Sequence, residues 1–259
     1  MKSLIAFIIL QTSIYLQTEG CSLTSNSNTQ IDSTQTLDTS SSSNIRIVKQ
    51  LIIPTSLTTF GLITMSNHNE NNINQFIKRK IRANNSEKIH VDDYIQYAPT
   101  IGFLGLEYMG LKPKNNFTYR MQTGITAHIL MGATVLLMKK GTKVMRPDNS
   151  SRNSFPSGHT AMAFVGAELL WQEYHHDSPW YGVAGYTLAT ATGILRMYNN
   201  RHWLSDVAMG AGIGILSGKI AYWISPIIHT KLFSDKNSYR ISPYYDGRFY
   251  SLKVNYSFK

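Results

Sequence analysis

Residues 203–224 read WLSDVAMGAGIGILSGKIAYWI. Apart from Asp206 and Lys219 the run is uncharged, and it approaches the ~20 mainly apolar residues that a bilayer span needs. Its recurring Gly and Ala suit close helix–helix packing. Working outward, residues 121–138 form a second apolar run of near-spanning length. Shorter ones lie at 94–111, 160–174 and 181–195, with Glu107 and Glu168 inside them. The pattern predicts an all-α fold, a membrane-embedded bundle of about five or six helices, rather than a soluble bundle.

The whole chain agrees with that reading. Of 259 residues 42% are apolar and 15% charged, against roughly 25% charged in soluble domains. A mean hydropathy of −0.18 then requires an apolar core joined to polar ends. Lys and Arg number 25 against 15 Asp and Glu, a net charge of +10. Such a balance favours an anionic partner: nucleic acid, an anionic membrane face or a phosphorylated substrate. The sequence shows no zinc-type Cys/His spacing, no RNP-like aromatic motif and no basic coiled coil, so nucleic acid is not expected. No obligate protein partner is evident. The single cysteine, Cys21, excludes an internal disulfide and a cysteine metal cluster.

The ends divide the chain. Residues 1–20 start with Lys2 and a short apolar run from Leu4 to Leu10, which reads as a secretory signal or an apolar N-terminal segment. Gly20-Cys21 faintly resembles a lipoprotein cleavage point. Residues 21–44, rich in Ser, Thr, Asn and Gln, read as a disordered tether. The main domain is expected over 45–230 and a tail over 231–259. Within the domain, 45–66 is a marginal span interrupted by Pro54. The basic cluster Lys78-Arg79-Lys80-Ile81-Arg82 follows Ile73, Phe76 and Ile77 at helical spacing, as in a helix lying on a membrane surface or an ordinary solvated one. Lys112, Lys114 and Arg120 before one long apolar run, and Lys231 and Lys236 after the last, place both sites on the cytoplasmic side. The loops around residues 139–159 and 196–202 then share the outer, periplasmic side. In the tail, Leu252, Val254, Tyr256 and Phe258 alternate with polar residues, the period of a β-strand.

Three motifs stand at the ends of the apolar runs. Lys139 precedes Arg146-Pro147 by six intervening residues. Pro156-Ser157-Gly158-His159 opens the run at 160. Arg196, five residues, His202, three residues and Asp206 open the last run. Lys139, Arg146 and Arg196 supply the density of cations that a phosphoryl group requires, Arg as a planar fork and Lys as a point charge. Free N–H groups at a helix start, with Gly158 allowing close backbone approach and Ser157 adding a hydroxyl, suit an anion. His202 and Asp206, four apart, share a helix face. A carboxylate on one imidazole nitrogen fixes the tautomer and leaves the other free to attack phosphorus. His159 can protonate the leaving oxygen and then activate water.

Taken together, these three motifs resemble the PAP2 (type 2 phosphatidic acid phosphatase/haloperoxidase) superfamily over about residues 94–224. The resemblance implies a metal-independent phosphatase without cofactors. It makes His202 the phosphohistidine, Asp206 its support and His159 the acid/base. Lys139, Arg146, Ser157, Gly158 and Arg196 would hold the phosphate. Leu195 departs from the small residue usual before the third-motif arginine. The eight residues between Pro147 and Pro156 make a short lid, in which Asp148 and Arg152 are further candidates for substrate contact. The expected substrate is a phosphorylated membrane lipid of the bacterial cell envelope: lipid A phosphate, for example at the 4′ position, undecaprenyl pyrophosphate, phosphatidic acid or phosphatidylglycerol phosphate. Three alternatives stay open: a soluble periplasmic acid phosphatase of the same superfamily, a vanadium haloperoxidase, and a vestigial, non-catalytic envelope lipid-binding protein.

Overall fold

The structure is a computed structural model that describes residues 38–66, 72–82, 89–233, 238–245 and 249–257. The expected signal segment, Cys21 and the tether as far as residue 37 lie outside the described residues. The chain divides into two compact units, Met1–Ile53 and Pro54–Lys259, and the site lies in the second.

Helix α1 runs Asp38–Ser66 with Pro54 inside it, so the stretch expected as tether is helical from Asp38. Helix α2, Ile73–Arg82, carries the basic cluster. The apolar run at 94–111 is not one helix. It breaks into α3 (Asp92–Ile95), α4 (Ala98–Gly105) and a 3-10 turn at Leu106–Met109. Pro99 begins a new helix at its first turn, and Gly110 ends the segment at φ 91°, a conformation glycine adopts without strain. Four longer helices follow: α5 (Phe117–Thr142), α6 (Gly158–Tyr174), α7 (Pro179–Tyr198) and α8 (Leu204–Phe233).

Helix α6 is the centre. Twelve of its 17 residues are buried, and it packs against α4, α5, α7 and α8. Phe103, Met131, Val135, Val165, Leu169, Met209 and Ile213 belong to one apolar core. Helix α5 shows why its sequence is apolar on every side. Thr123, Ala127, Met131 and Val135, each four apart, are buried, forming one ridge. Ile125, Ile129, Leu136 and Leu137 are exposed on the other side. Helix α5 and the Leu204–Thr230 part of α8 are long and apolar enough to cross a membrane.

Charged residues inside the bundle are paired. Lys219 Nζ of α8 donates to Glu168 Oε1 of α6 at 2.9 Å, and the Tyr186 hydroxyl of α7 donates to the other carboxylate oxygen. Glu173 accepts from Asn115 and from Tyr222. Arg120 corrects a sequence expectation. It is not a free loop cation but fully buried, donating to Phe103 O and Tyr174 Oη at 3.0 Å each and paired with Glu107. Its charge therefore does not count among the exposed ones that orient a chain in a bilayer.

The tail folds as an antiparallel hairpin of β1 (Ser238–Tyr245) and β2 (Tyr250–Ser257), in register from Ser238 opposite Ser257 to Tyr245 opposite Tyr250.

Candidate active site

All three motifs converge where α5 ends and α6 and α8 begin. The junction is built from the start of α8. Trp203 precedes its first helical residue, and the Asp206 carboxylate reaches back to accept from Trp203 N at 2.9 Å, the reciprocal half of a capping box. The same oxygen, Oδ2, lies 3.4 Å from His202 Nδ1 and accepts from the Ser154 hydroxyl. One fully buried carboxylate thus caps the helix and braces the imidazole. The Asp206 carbonyl accepts from Ser157 N at 3.0 Å, joining the third motif to the second.

That joint demands close approach. A Cβ on Gly210 would stand 2.5 Å from Ser157 O, and one on Gly214 would stand 2.6 Å from Ala161 O. The small residues of α8 let its backbone lie directly on the N-terminus of α6. There Ser157 caps the helix, its Oγ accepting from Thr160 N at 3.5 Å and lying 2.9 Å from Thr160 Oγ1. At Gly158 an added Cβ would make only an ordinary contact, with Val135 Cγ1 at 3.9 Å.

The short lid after α5 positions two cations. Lys139 Nζ donates to Asn153 O at 2.5 Å, and Arg146 Nε donates to Asn153 Oδ1 at 2.9 Å. The charges of Arg146, Arg196 and Asp206 all act on Lys139, and those of Asp206, Lys139 and Arg196 act on His202. Burial, and then the neighbouring Arg201 and Arg196 charges, pull Arg146 below the ordinary arginine value. Asp148, a lid candidate for substrate contact, is engaged with Arg201 at 3.3 Å and Ser150 Oγ at 2.6 Å. Among the described residues no hydrogen bond or ion pair joins Arg152 to the site.

The two histidines differ. His202 is buried, and burial pushes its pKa down to about 4, outweighing the Asp206 carboxylate. Its ring is neutral near pH 7, as a nitrogen nucleophile requires. His159 is partly exposed, and its Nε2 lies 3.0 Å from Asp93 Oδ1. Burial lowers its pKa and the Arg196 charge lowers it further, against the Asp93 hydrogen bond and the Asp93 and Asp92 charges.

Asp92 and Asp93 belong to the site although the sequence reading passed over them. Arg196 Nη1 donates to Asp92 Oδ2 at 2.6 Å and to Asp93 Oδ1 at 3.2 Å, and Asn199 Nδ2 donates to Asp92 Oδ1 at 3.0 Å. Burial pushes the Asp93 carboxyl up, but the His159 hydrogen bond and the Arg196, His159 and His90 charges hold it below its ordinary value. Arg196 Nε is buried without a hydrogen-bond partner among the described residues. The signal available in the sequence was an acidic pair, beside His90, in a chain with only 15 acidic residues. Ser154 was also missed; it lies two residues before the second motif.

Comparison with known proteins places the same stretch. The family model described as "PAP2 superfamily" matches residues 123–229. Lipid A 1-phosphatase of Porphyromonas gingivalis is 39% identical over 184 residues, covering 69% of this chain and 40% of that protein. The bacitracin transport permease protein BcrC of Bacillus licheniformis is 37% identical over 95 residues, covering 35% of this chain and 45% of that protein. The chain thus spans less than half the length of either relative. Among solved structures, Aquifex aeolicus LpxE aligns with a TM-score of 0.45 and 24% identity, over 58% of this chain and 95% of that one. The transmembrane PAP2 type phosphatidylglycerolphosphate phosphatase from Bacillus subtilis aligns with a TM-score of 0.44 and 20% identity, over 68% and 97%. Through residues 123–229, the stretch holding all three motifs, the chain belongs to the PAP2 superfamily.

Proposed function

We propose that the protein is a metal-independent lipid phosphatase that works through a phosphohistidine on His202. The observation that carries this reading is the meeting of Lys139, Arg146 and Arg196 about a neutral, buried imidazole braced by Asp206. In the first step the free ring nitrogen of His202 attacks phosphorus in line. An N–P bond forms, the P–O bond to the lipid breaks, and protonated His159 gives its proton to the leaving oxygen. Lys139, Arg146, Arg196 and the N–H groups at the start of α6 stabilise charge on the equatorial oxygens. In the second step a water gives His159 a proton and attacks phosphorus. The N–P bond breaks and inorganic phosphate leaves.

The substrate is a phosphorylated lipid. Two helices of membrane-spanning length and the exposed apolar stripe of α5 support an embedded protein, with its site on the periplasmic side of the bacterial envelope. The relative named lipid A 1-phosphatase favours a lipid A phosphate, and the 1-position over the 4′-position suggested at first. Purified protein with EDTA should release inorganic phosphate from lipid A and be inhibited by vanadate. Mass spectrometry of the lipid should show loss of one phosphate. Strict dependence on added divalent metal, or intact lipid A beside another dephosphorylated lipid, would refute the mechanism or the substrate respectively.

A further inference from the structure

Helix α2 has two unlike faces, and the phosphatase mechanism uses neither. The inner face is fastened to the start of α8. Asn74 Oδ1 accepts from Ser205 N at 3.0 Å, and Asn74 Nδ2 donates to Ser205 Oγ at 3.2 Å. Lys78 Nζ donates to Pro147 O at 2.7 Å and lies 5.1 Å from the centre of the Trp203 ring. Ser205 is the second residue of the stretch Leu204–Thr230, which is long and apolar enough to cross a membrane. The end of a spanning helix lies where hydrocarbon gives way to headgroups. The Asn74 bonds therefore hold α2 at headgroup level.

The outer face suits that level. Ile73, Phe76 and Lys80 follow at i, i+3 and i+7 and share one side of the helix. Ile73 is 42% and Phe76 55% exposed, and Arg79 and Lys80 are exposed beside them. Lys80 Nζ lies 5.6 Å from the centre of the Phe76 ring, a charge carried on a stem that follows apolar surface. The sequence of α2 holds Lys78, Arg79, Lys80 and Arg82 and no acidic residue. A helix in water gains from opposite charges four apart and loses from like ones. Lys78 and Arg82 are four apart and alike, so the helix lacks the charge pattern that water favours. At the same end of the bundle Lys140, Lys143 and Arg152 are exposed, while Asp148 of the lid is paired with Arg201. The complement of such a rim is an extended anionic surface.

We propose that α2 is a docking helix for an anionic lipid surface. Ile73 and Phe76 enter the headgroup boundary, and Arg79 and Lys80 bind phosphates of surrounding lipids that are not substrates. The inference rests on the reading of the protein as embedded, and adds the charge of the leaflet that the site-bearing end faces.

The test is backbone hydrogen exchange of residues 73–82 in the full chain, reconstituted into two kinds of vesicle. One is phosphatidylcholine alone, and the other contains roughly one-third phosphatidylglycerol. The segment should exchange about tenfold more slowly in the anionic vesicles, and about 0.5 M salt should remove most of the difference. Arg79→Gln/Lys80→Gln leaves Asn74 and Lys78 in place and should erase the difference in low salt. Equal exchange in the two vesicles, or a difference that survives the double substitution, would overturn the docking. Protection by soluble polyglutamate in neutral vesicles, with none from phosphatidylglycerol, would assign the face to an acidic protein and overturn it too. Flotation separates the two readings. A chain that does not float with vesicles is not embedded, and the docking falls with the embedding. A chain that floats but shows equal exchange loses the docking alone. The readout needs no turnover, so it stands apart from the phosphatase chemistry.

Discussion

The ring of His159 and the carboxylate of Asp93 meet at 3.0 Å, and the same Asp93 oxygen lies 3.2 Å from Arg196 Nη1. The imidazole proposed as acid/base and a guanidinium proposed to bind phosphate are thereby held by one anion from a segment outside the three motifs. Asp92, Asp93 and Arg196 are charged groups that act on His159, so its protonation reports on this contact. His202 must be neutral to attack, so activity rises as pH rises through about 4. His159 must be protonated to release the lipid, so activity falls as pH rises through its pKa, which lies below the ordinary 6.5. The kcat/KM profile on a lipid phosphate should therefore be a bell with its maximum on the acid side of neutrality. Asp93→Asn removes a carboxylate that raises the His159 pKa, and the descending limb should move to lower pH. An unmoved limb would show that Asp93 does not govern His159.

His202 separates catalysis from binding. His202→Ala removes the attacking nitrogen but none of the three cations, so turnover should fall by at least about 10³-fold. Binding of vanadate or inorganic phosphate should persist within a factor of about ten. Rapid acid-stable or base-stable trapping of labelled phosphate distinguishes the bond type: a phosphohistidine survives base and is lost in acid. Label retained in His202→Ala would move the nucleophile elsewhere.

Much of this site was legible in the sequence because each motif carries its residues on one short stretch. His202 and Asp206 face the same way from spacing alone, and Ser157 caps a helix whose apolar residues begin at once. What spacing does not encode is contact across the bundle. Asp92 and Asp93 lie more than 100 residues from Arg196, and nothing local marks them as its partners. The same limit explains Arg120. Its position before an apolar run reads as an exposed loop charge, whereas Glu107, Tyr174 and the Phe103 carbonyl draw it inside. The break within 94–111 was readable in part from Pro99 and Gly110, but the run's apolar composition outweighed them.

Glu168 and Lys219 form a buried ion pair, both less than 10% exposed, between the central helix and α8. Glu168→Leu leaves the Lys219 charge buried without this carboxylate and should cost about 3–5 kcal/mol, read as a large fall in thermal midpoint in detergent. The double variant Glu168→Leu/Lys219→Met removes both charges and should recover most of that loss. A double variant as unstable as the single one would mean that the loss comes from the Tyr186 and Gln172 hydrogen bonds to Glu168 rather than from the ion pair.

The close approach of α8 to the start of α6 gives the last prediction. At Gly210 an added Cβ would meet the Ser157 carbonyl oxygen at 2.5 Å, a backbone atom that cannot rotate away. The two helices must separate, and they carry Asp206 and His202 on one side and Ser157, Gly158 and His159 on the other. Gly210→Ala should destabilise by about 1–3 kcal/mol. It should also lower kcat by about 10²-fold, since displacement of reacting groups by about 1 Å has that effect. Gly132 in α5 is the matched control, with nothing within 4 Å of an added Cβ. Gly132→Ala should leave kcat unchanged and add about 0.5–1 kcal/mol through helix propensity. Equal behaviour of the two variants would mean that the backbone contact at Ser157 does not set the geometry of the site.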